Sequence, residues 1–187
     1  ISVGLMAAQP SVTTLSPAQP GGSGGKIEVL EFFSYACSHC YKLDPVLEKW
    51  LKTQKDDVVF RRVPVSFGRA AWATLARMYV TLDAMKLAEK FTPAVFDAIQ
   101  KGQIRLDDEK IRNEWLVKSG INVKAFNDTW RSFGVESLSR RNEQLVMAYK
   151  INGVPALAIN GKYVVLGDDP DTLKAADSLI AKERSAK

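Results

Sequence analysis

Cysteine and histidine are almost missing from this 187-residue chain, which holds two cysteines, Cys37 and Cys40, and one histidine, His39, lying between them. So few thiols exclude a small scaffold held together by disulfides. No stretch comes near the ~20 apolar residues that span a bilayer. A glycine-rich phosphate loop and an internal repeat are also lacking. Neither sign of charge dominates: 26 basic and 21 acidic residues leave a net +5, and the only basic doublets are Arg61-Arg62 and Arg140-Arg141. Charge scattered in this way, with no aromatic-interleaved basic stripe, reads as a solvated surface and argues against nucleic-acid binding. What is present is ordinary globular composition, 46% hydrophobic and 25% charged. The length suits one domain, or one domain carrying an insertion, with a core that needs no covalent staple.

Residues 1–25 stand apart from the rest. Leu5-Met6-Ala7-Ala8 reads either as the tail of a secretory signal or as a cloning remnant. Val12 to Leu15 is β-prone and is expected to add a strand, ended by Pro17 and Pro20. Gly21 to Gly25 is a flexible linker by composition. Ile27 to Phe33 (IEVLEFF) has the apolar, β-branched and aromatic character of a buried strand. Cys40, Leu43, Val46, Leu47, Trp50 and Leu51 recur at helical spacing, so Cys37 to about Leu51 is expected to be a helix. Val58 to Val63 follows as a second strand stopped by Pro64, completing a βαβ unit.

From 66 to about 150 the pattern is helical throughout. Trp72, Leu75, Ala76, Tyr79 and Leu82 share a face, and Thr92-Pro93 looks like a cap followed by a first-turn proline. Asp107, Asp108 and Glu109 open a helix that Gly120 ends, with Ile111, Trp115 and Leu116 inward. Phe126, Trp130 and Phe133 are expected in the core, ahead of a long helix carrying Val135, Leu138, Leu145, Val146 and Tyr149. Pro155 to Ile159 and Lys162 to Leu166 form a hairpin around Asn160-Gly161, whose residues tolerate the positive φ angles of a type I′ turn. Asp169-Pro170 opens a last helix to about Lys182.

The Cys37-Ser38-His39-Cys40 run is the one constellation that carries chemistry. A structural disulfide across four residues would constrain the unfolded chain by only about 2 kcal/mol, and a zinc site wants four Cys or His ligands. The start of a helix just after a strand usually lies at an exposed sheet end, which argues against two inert buried thiols. A CxxC in a βαβ setting points to redox chemistry. Cys37, facing the unpaired N–H groups of the helix start, gains thiolate stability, and Cys40, one turn inside, resolves the mixed disulfide that Cys37 forms. His39 adds a cation or a hydrogen-bond donor beside the same sulfur.

The run Phe32-Phe33-Ser34-Tyr35-Ala36-Cys37-Ser38-His39-Cys40-Tyr41, with Pro45 after it and Gly153-Val154-Pro155-Ala156 far downstream, resembles the DsbA family of periplasmic thiol:disulfide oxidoreductases over about residues 12 to 182. That resemblance implies an α/β thioredoxin fold, a central mixed β-sheet flanked by helices, with an inserted all-helical domain. Residues 26–65 and 148–187 would form the thioredoxin-like domain, 66–147 the insertion and 1–25 an N-terminal extension. It implies Cys37 as nucleophile, Cys40 as resolving thiol, and Val154-Pro155 as a loop with a cis peptide bond whose backbone pairs with extended substrate. Glu31 is either a solvent-facing edge residue or, as the family position implies, a buried acid that helps move the Cys40 proton, with Arg62 as charge partner. Tyr35 and Trp72 are expected to line an apolar groove for substrate and partner.

One departure stands out. Such sites more often carry proline before the histidine, whereas Ser38 stands here, so Ser38 either donates to the Cys37 sulfur or competes with the helix cap. The implied partners are unfolded exported polypeptides with reduced cysteines and a quinone-linked membrane oxidase of the DsbB type. The chain is expected to be monomeric, with no metal or organic cofactor. Alternatives are a reductase or isomerase in the same fold, a glutathione-transferase-like isomerase, and a non-enzymatic chaperone-like binding module.

Overall fold

The computed structural model describes residues 10–187, so the readings of Leu5 to Ala8 lie outside the described residues. Five strands, β1 (Ser11–Thr14), β2 (Ile27–Phe33), β3 (Val58–Pro64), β4 (Ala156–Ile159) and β5 (Tyr163–Leu166), form one sheet in the order β1-β5-β4-β2-β3. The central β2 runs parallel to β3 and antiparallel to β4. The βαβ unit therefore builds one half of the sheet, and the β4–β5 hairpin with β1 builds the other. Asn160 and Gly161 take the expected positive φ angles, and Lys162 N–H closes the turn on Ile159 O at 3.0 Å.

Alternation along β2 decides what lies on each face. Ile27 and Val29 point toward α1 (Ser38–Lys52) and α7 (Pro170–Ser185), packing with Leu43, Leu47 and Ile180. Leu30 and Phe32 point the other way, against Val146 and Tyr149. Glu31 falls on the α1 face, directly opposite Arg62 in the parallel register. Fully burying one such apolar side chain is worth about 1.5–3 kcal/mol, so a one-residue slip that also exposed this acid's partner would be heavily disfavoured.

Between β3 and β4 run five helices: α2 (Ala70–Ala84), α3 (Ala88–Gln100), α4 (Glu109–Lys118), α5 (Val123–Trp130) and α6 (Phe133–Ala148). The helix opened by acid and ended by Gly120 forms as expected, with the Asp108 carboxylate accepting from Ile111 N–H. Three expectations fail. Thr92-Pro93 does not begin a helix: α3 starts at Ala88, after a positive-φ turn at Lys86, and carries Pro93 inside it. Thr92 is drawn into the core instead, where its hydroxyl meets that of Tyr35 at 3.0 Å. Phe133 is 84% exposed rather than packed, as the first residue after the Ser132 cap. In α4 the inward face belongs to Leu116 and to Arg112, whose guanidinium covers the Trp130 ring at 4.2 Å, while Ile111 and Trp115 are half-buried.

The largest cluster joins the two regions. Phe33, Tyr35, Cys37 and Cys40 pack with Leu75, Phe96, Leu116 and Phe126 from α2 to α5. Among the described residues no helix is long and apolar enough to cross a membrane.

Candidate active site

Ser34 sets up the approach to the cysteines. Its hydroxyl accepts Ala36 N–H at 3.1 Å and its carbonyl accepts Cys37 N–H at 3.1 Å, turning the chain from β2 into α1. Cys37 is left as the N-cap, in extended conformation, and its Sγ accepts Cys40 N–H at 3.3 Å. A sulfur in the position where serine or aspartate usually caps a helix faces the donors that a thiolate needs. Cys37 retains 8% exposure and Cys40 none. Only the first sulfur is open to an incoming thiol.

The two cysteines are pushed in opposite directions. Cys37 is held down to about 6, first by the Cys40 thiol donating to its sulfur, then by the backbone N–H groups of Cys40 and His39 and by the His39 charge. Cys40 is driven far up, first by burial, then by that same bond to Cys37 and by the Glu31 carboxylate. The pair holds one proton strongly and releases the other easily. Opposite Cys37, the Val154–Pro155 peptide bond is cis, and the Cys37 thiol donates to Val154 O at 3.7 Å.

Beneath the cysteines lies a charge cluster centred on Arg62. Its Nε donates to Glu31 at 3.1 Å, and its Nη2 donates to Asp44 at 3.0 Å and Glu48 at 2.7 Å. Glu31 is 2% exposed, so of its two readings the buried one holds. Burial pushes its carboxyl up to about 7, against the pull of Arg62. Burial works against the Arg62 charge, and Glu31 and Asp44 more than offset it. Asp44 and Glu48 were missed from the sequence; their spacing of four on α1, facing Glu31 and Arg62, was the available signal.

The remaining expected residues separate. Ser38 is exposed at the first helical position, and among the described residues it makes no hydrogen bond to the Cys37 sulfur. Trp72 is half-buried and packs against the same two apolar clusters that Val154 meets, with the Arg69 guanidinium 4.7 Å over its ring. Tyr35 is in the core, not on a groove: it is 1% exposed and its ring packs edge-on against Phe33 and Phe96.

His39 is exposed, and its Nδ1 lies 2.8 Å from Asp168, with Lys42 at 3.7 Å from the same oxygen. Asp168 is fixed from both sides. Gly167 N–H reaches Pro155 O at 3.4 Å, and Asp169 caps α7. A carboxylate so placed orients the one imidazole whose charge favours the Cys37 thiolate. Asp168→Asn should therefore make the disulfide a weaker oxidant, shifting its equilibrium with glutathione about three-fold, or ~15 mV. A redox titration checks this, and the shift should vanish in a His39→Ala background.

The comparisons agree with this geometry. A profile of the DSBA-like thioredoxin domain matches residues 28–176. The thiol:disulfide interchange protein DsbA of Pseudomonas syringae pv. tomato is 39% identical over 176 residues, covering 92% of this chain and 82% of that protein. That of Azotobacter vinelandii is 40% identical over 178 residues, covering 93% and 81%. The crystal structure of Pseudomonas aeruginosa DsbA superposes with a TM-score of 0.89 at 36% identity, over 95% of this chain and 94% of that one. The oxidoreductase NmDsbA1 of Neisseria meningitidis gives 0.83 at 30% identity, over 99% and 97%. With a capping thiolate-forming cysteine, a buried partner thiol and a thioredoxin-like sheet beneath them, this chain belongs to the DsbA-like family of thiol-disulfide oxidoreductases.

Proposed function

We propose that this protein donates its Cys37–Cys40 disulfide to reduced cysteines of unfolded, exported polypeptides in the periplasm. A substrate thiolate attacks Cys37 Sγ, and Cys40 leaves and takes up a proton. A second substrate thiolate then attacks the substrate sulfur of the mixed disulfide, and Cys37 leaves as a thiolate. Two electrons pass to the enzyme and the substrate gains one disulfide. The observation that carries this reading is the placement of the two thiols: Cys37 caps α1 with its sulfur accepting Cys40 N–H, which lowers its pKa and makes it a good leaving group, and Cys40 is fully buried, which keeps its proton on. Stabilising the reduced state in this way makes the oxidised state a strong oxidant, which favours an oxidase over a reductase.

The other roles follow from position. Glu31 buffers the proton that Cys40 gains, Val154 offers its backbone to an extended substrate, and Trp72 lines the approach. Ser38 tunes the thiolate only through the helix start. A DsbB-like, quinone-linked membrane oxidase restores the disulfide, and the protein acts as a monomer. The chain divides into a thioredoxin-like part, 26–65 with 148–187, and a helical part, 66–147, a division supported by the five consecutive helices between β3 and β4.

Oxidation of a reduced, unfolded protein tests the proposal. Cys37→Ser should abolish it, and Cys40→Ser, offered the oxidised form of the same protein, should hold it as a mixed disulfide, because the Cys37 thiolate opens a substrate disulfide and no second thiol is left to resolve it. Undiminished oxidation by Cys37→Ser would refute the reading.

A further inference from the structure

Polar contacts tie α3 to the chain on either side of the cysteines. On the near side, the Thr92 hydroxyl meets that of Tyr35 at 3.0 Å, and Gln100 Nε2 donates to the Tyr35 carbonyl at 2.9 Å. On the far side, the Tyr41 hydroxyl donates to Asp97 at 2.6 Å. Tyr35 stands two residues before Cys37, and Tyr41 directly follows Cys40. Thr92 and Gln100 lie about two turns apart on α3, so one helix holds Tyr35 by its side chain and by its backbone. The backbone contact is the one that reaches the chemistry. Ala36 N–H belongs to the same rigid peptide plane as the Tyr35 carbonyl, and it donates to Ser34 Oγ at 3.1 Å. The plane is thus held at both edges. Cys37 N–H, bound to Ser34 O at 3.1 Å, continues from it into the extended cap conformation, φ −89° and ψ 117°. Among the described residues the Tyr35 carbonyl accepts from no other group. Gln100 itself stands on firm ground: just past the end of α3, Gly102 N–H reaches Asp97 O at 3.0 Å and Ile104 N–H reaches Ala98 O at 2.9 Å.

We propose that Gln100 is a positioning residue for the reaction: by holding the Tyr35 carbonyl it keeps Cys37 Sγ on the N–H donors at the start of α1. The inference rests on the oxidase reading above, in which Cys37 leaves as a thiolate. A buried carbonyl needs a donor in any protein, and that need alone would make Gln100 a matter of stability. The difference between redox states adds the functional part. N–H donors are worth most to an anion, and the Cys37 sulfur carries charge only when reduced. Slack in the turn that delivers Cys37 therefore costs the reduced state and leaves the disulfide nearly untouched. The titratable groups that act on Cys37 are Cys40 and His39, and Glu31 acts on Cys40. Gln100→Met alters none of them and keeps the length of the side chain, so a change in acidity would come through position.

Thiolate absorbance against pH, together with the redox equilibrium against glutathione at pH 8, tests this on the full chain. Gln100→Met should raise the Cys37 pKa and shift the equilibrium about five-fold toward a weaker oxidant, or ~20 mV, which is about what one net hydrogen bond is worth. Tyr41→Phe removes the outer bond between α1 and α3 without touching Tyr35, and should leave both readings at their wild-type values. A Gln100→Met protein that loses stability but keeps wild-type acidity and potential would overturn the proposal. So would an equal shift in Tyr41→Phe, since helix packing at large would then set the sulfur. Should Gln100→Met fail to fold, Gln100→Asn, one methylene short of the carbonyl, carries the same expectation and the same refutation. A wild-type Cys37 that titrates as a free thiol, near ~8.5, would instead remove the oxidase reading, and the positioning role with it.

Discussion

Replacing Arg62 by methionine is expected to cost the fold about 3–5 kcal/mol at pH 8, and far less at pH 4. Arg62 is 8% exposed and, among the described residues, is the one cation bonded to Glu31, Asp44 and Glu48. Removing one member of a buried ion group strands the others, and here it strands two buried carboxylates at once. Their escape is to take up protons. Burial already raises the Glu31 carboxyl to about 7 and raises Asp44 as well, with Arg62 opposing both. Without the guanidinium both would rise further, so in acid they become neutral and the cation is no longer needed. The sign for Glu31 follows from its raised value. The folded state binds the proton more tightly than the unfolded one, so this group adds stability in full below about 4.5 and loses it as pH climbs through about 7. That difference amounts to about 3 kcal/mol for a group so fully enclosed. Urea unfolding of wild type and Arg62→Met at pH 4 and pH 8 measures both parts. A penalty of equal size at the two pH values would show that the guanidinium serves packing and not charge.

The reduction potential should change its pH slope near pH 6. Below that value both thiols bind protons, so two protons accompany two electrons and the slope is ~59 mV per pH unit; above it only Cys40 does, and the slope halves to ~30 mV. In an unperturbed dithiol the bend would fall near ~8.5. The sign comes from the depressed Cys37 value. The reduced protein gains the thiolate's stability in full above the unfolded thiol's value and loses it as pH falls through about 6. At pH 7 an ordinary thiol would still be protonated, so only about one unit of the shift is realised, ~1.4 kcal/mol or ~30 mV of added oxidising strength. Above pH 9 the gain approaches ~75 mV. Titration against glutathione from pH 5 to pH 9 reads the bend directly. A single slope up to pH 8 would contradict the capping geometry at Cys37.

The parts of this architecture legible in the sequence are those whose cause is local. IEVLEFF is a central strand because its apolar residues suit burial on both faces, and the Cys37–Cys40 spacing places one sulfur at a helix start and the other one turn in. Arg62 as the partner of Glu31 came from the family resemblance, and the parallel register that sets Glu31 opposite Arg62 gives its physical basis. Asp168 was not legible. Its contact with His39 spans 129 residues, and the Gly-Asp-Asp-Pro run is fully accounted for locally by the cap of α7. Thr92-Pro93 misled for the opposite reason. A convincing local start signal lost to tertiary demand, with the Thr92 hydroxyl taken into the core by Tyr35. Tyr35 itself stands two residues from the nucleophile, yet its ring turns inward, and nothing in the neighbouring letters reveals that rotation.

Because Cys40 shares one uninterrupted apolar interior with Leu116 and Phe126, the redox pair has no soft seam separating it from the rest of the molecule. The buried thiol is packed by residues of the sheet region and of the inserted helices together. A cavity opened at Leu116 or Phe126 therefore falls in the same packed interior that keeps the inner sulfur dry, much as slackening a soundboard reaches a string fixed to it.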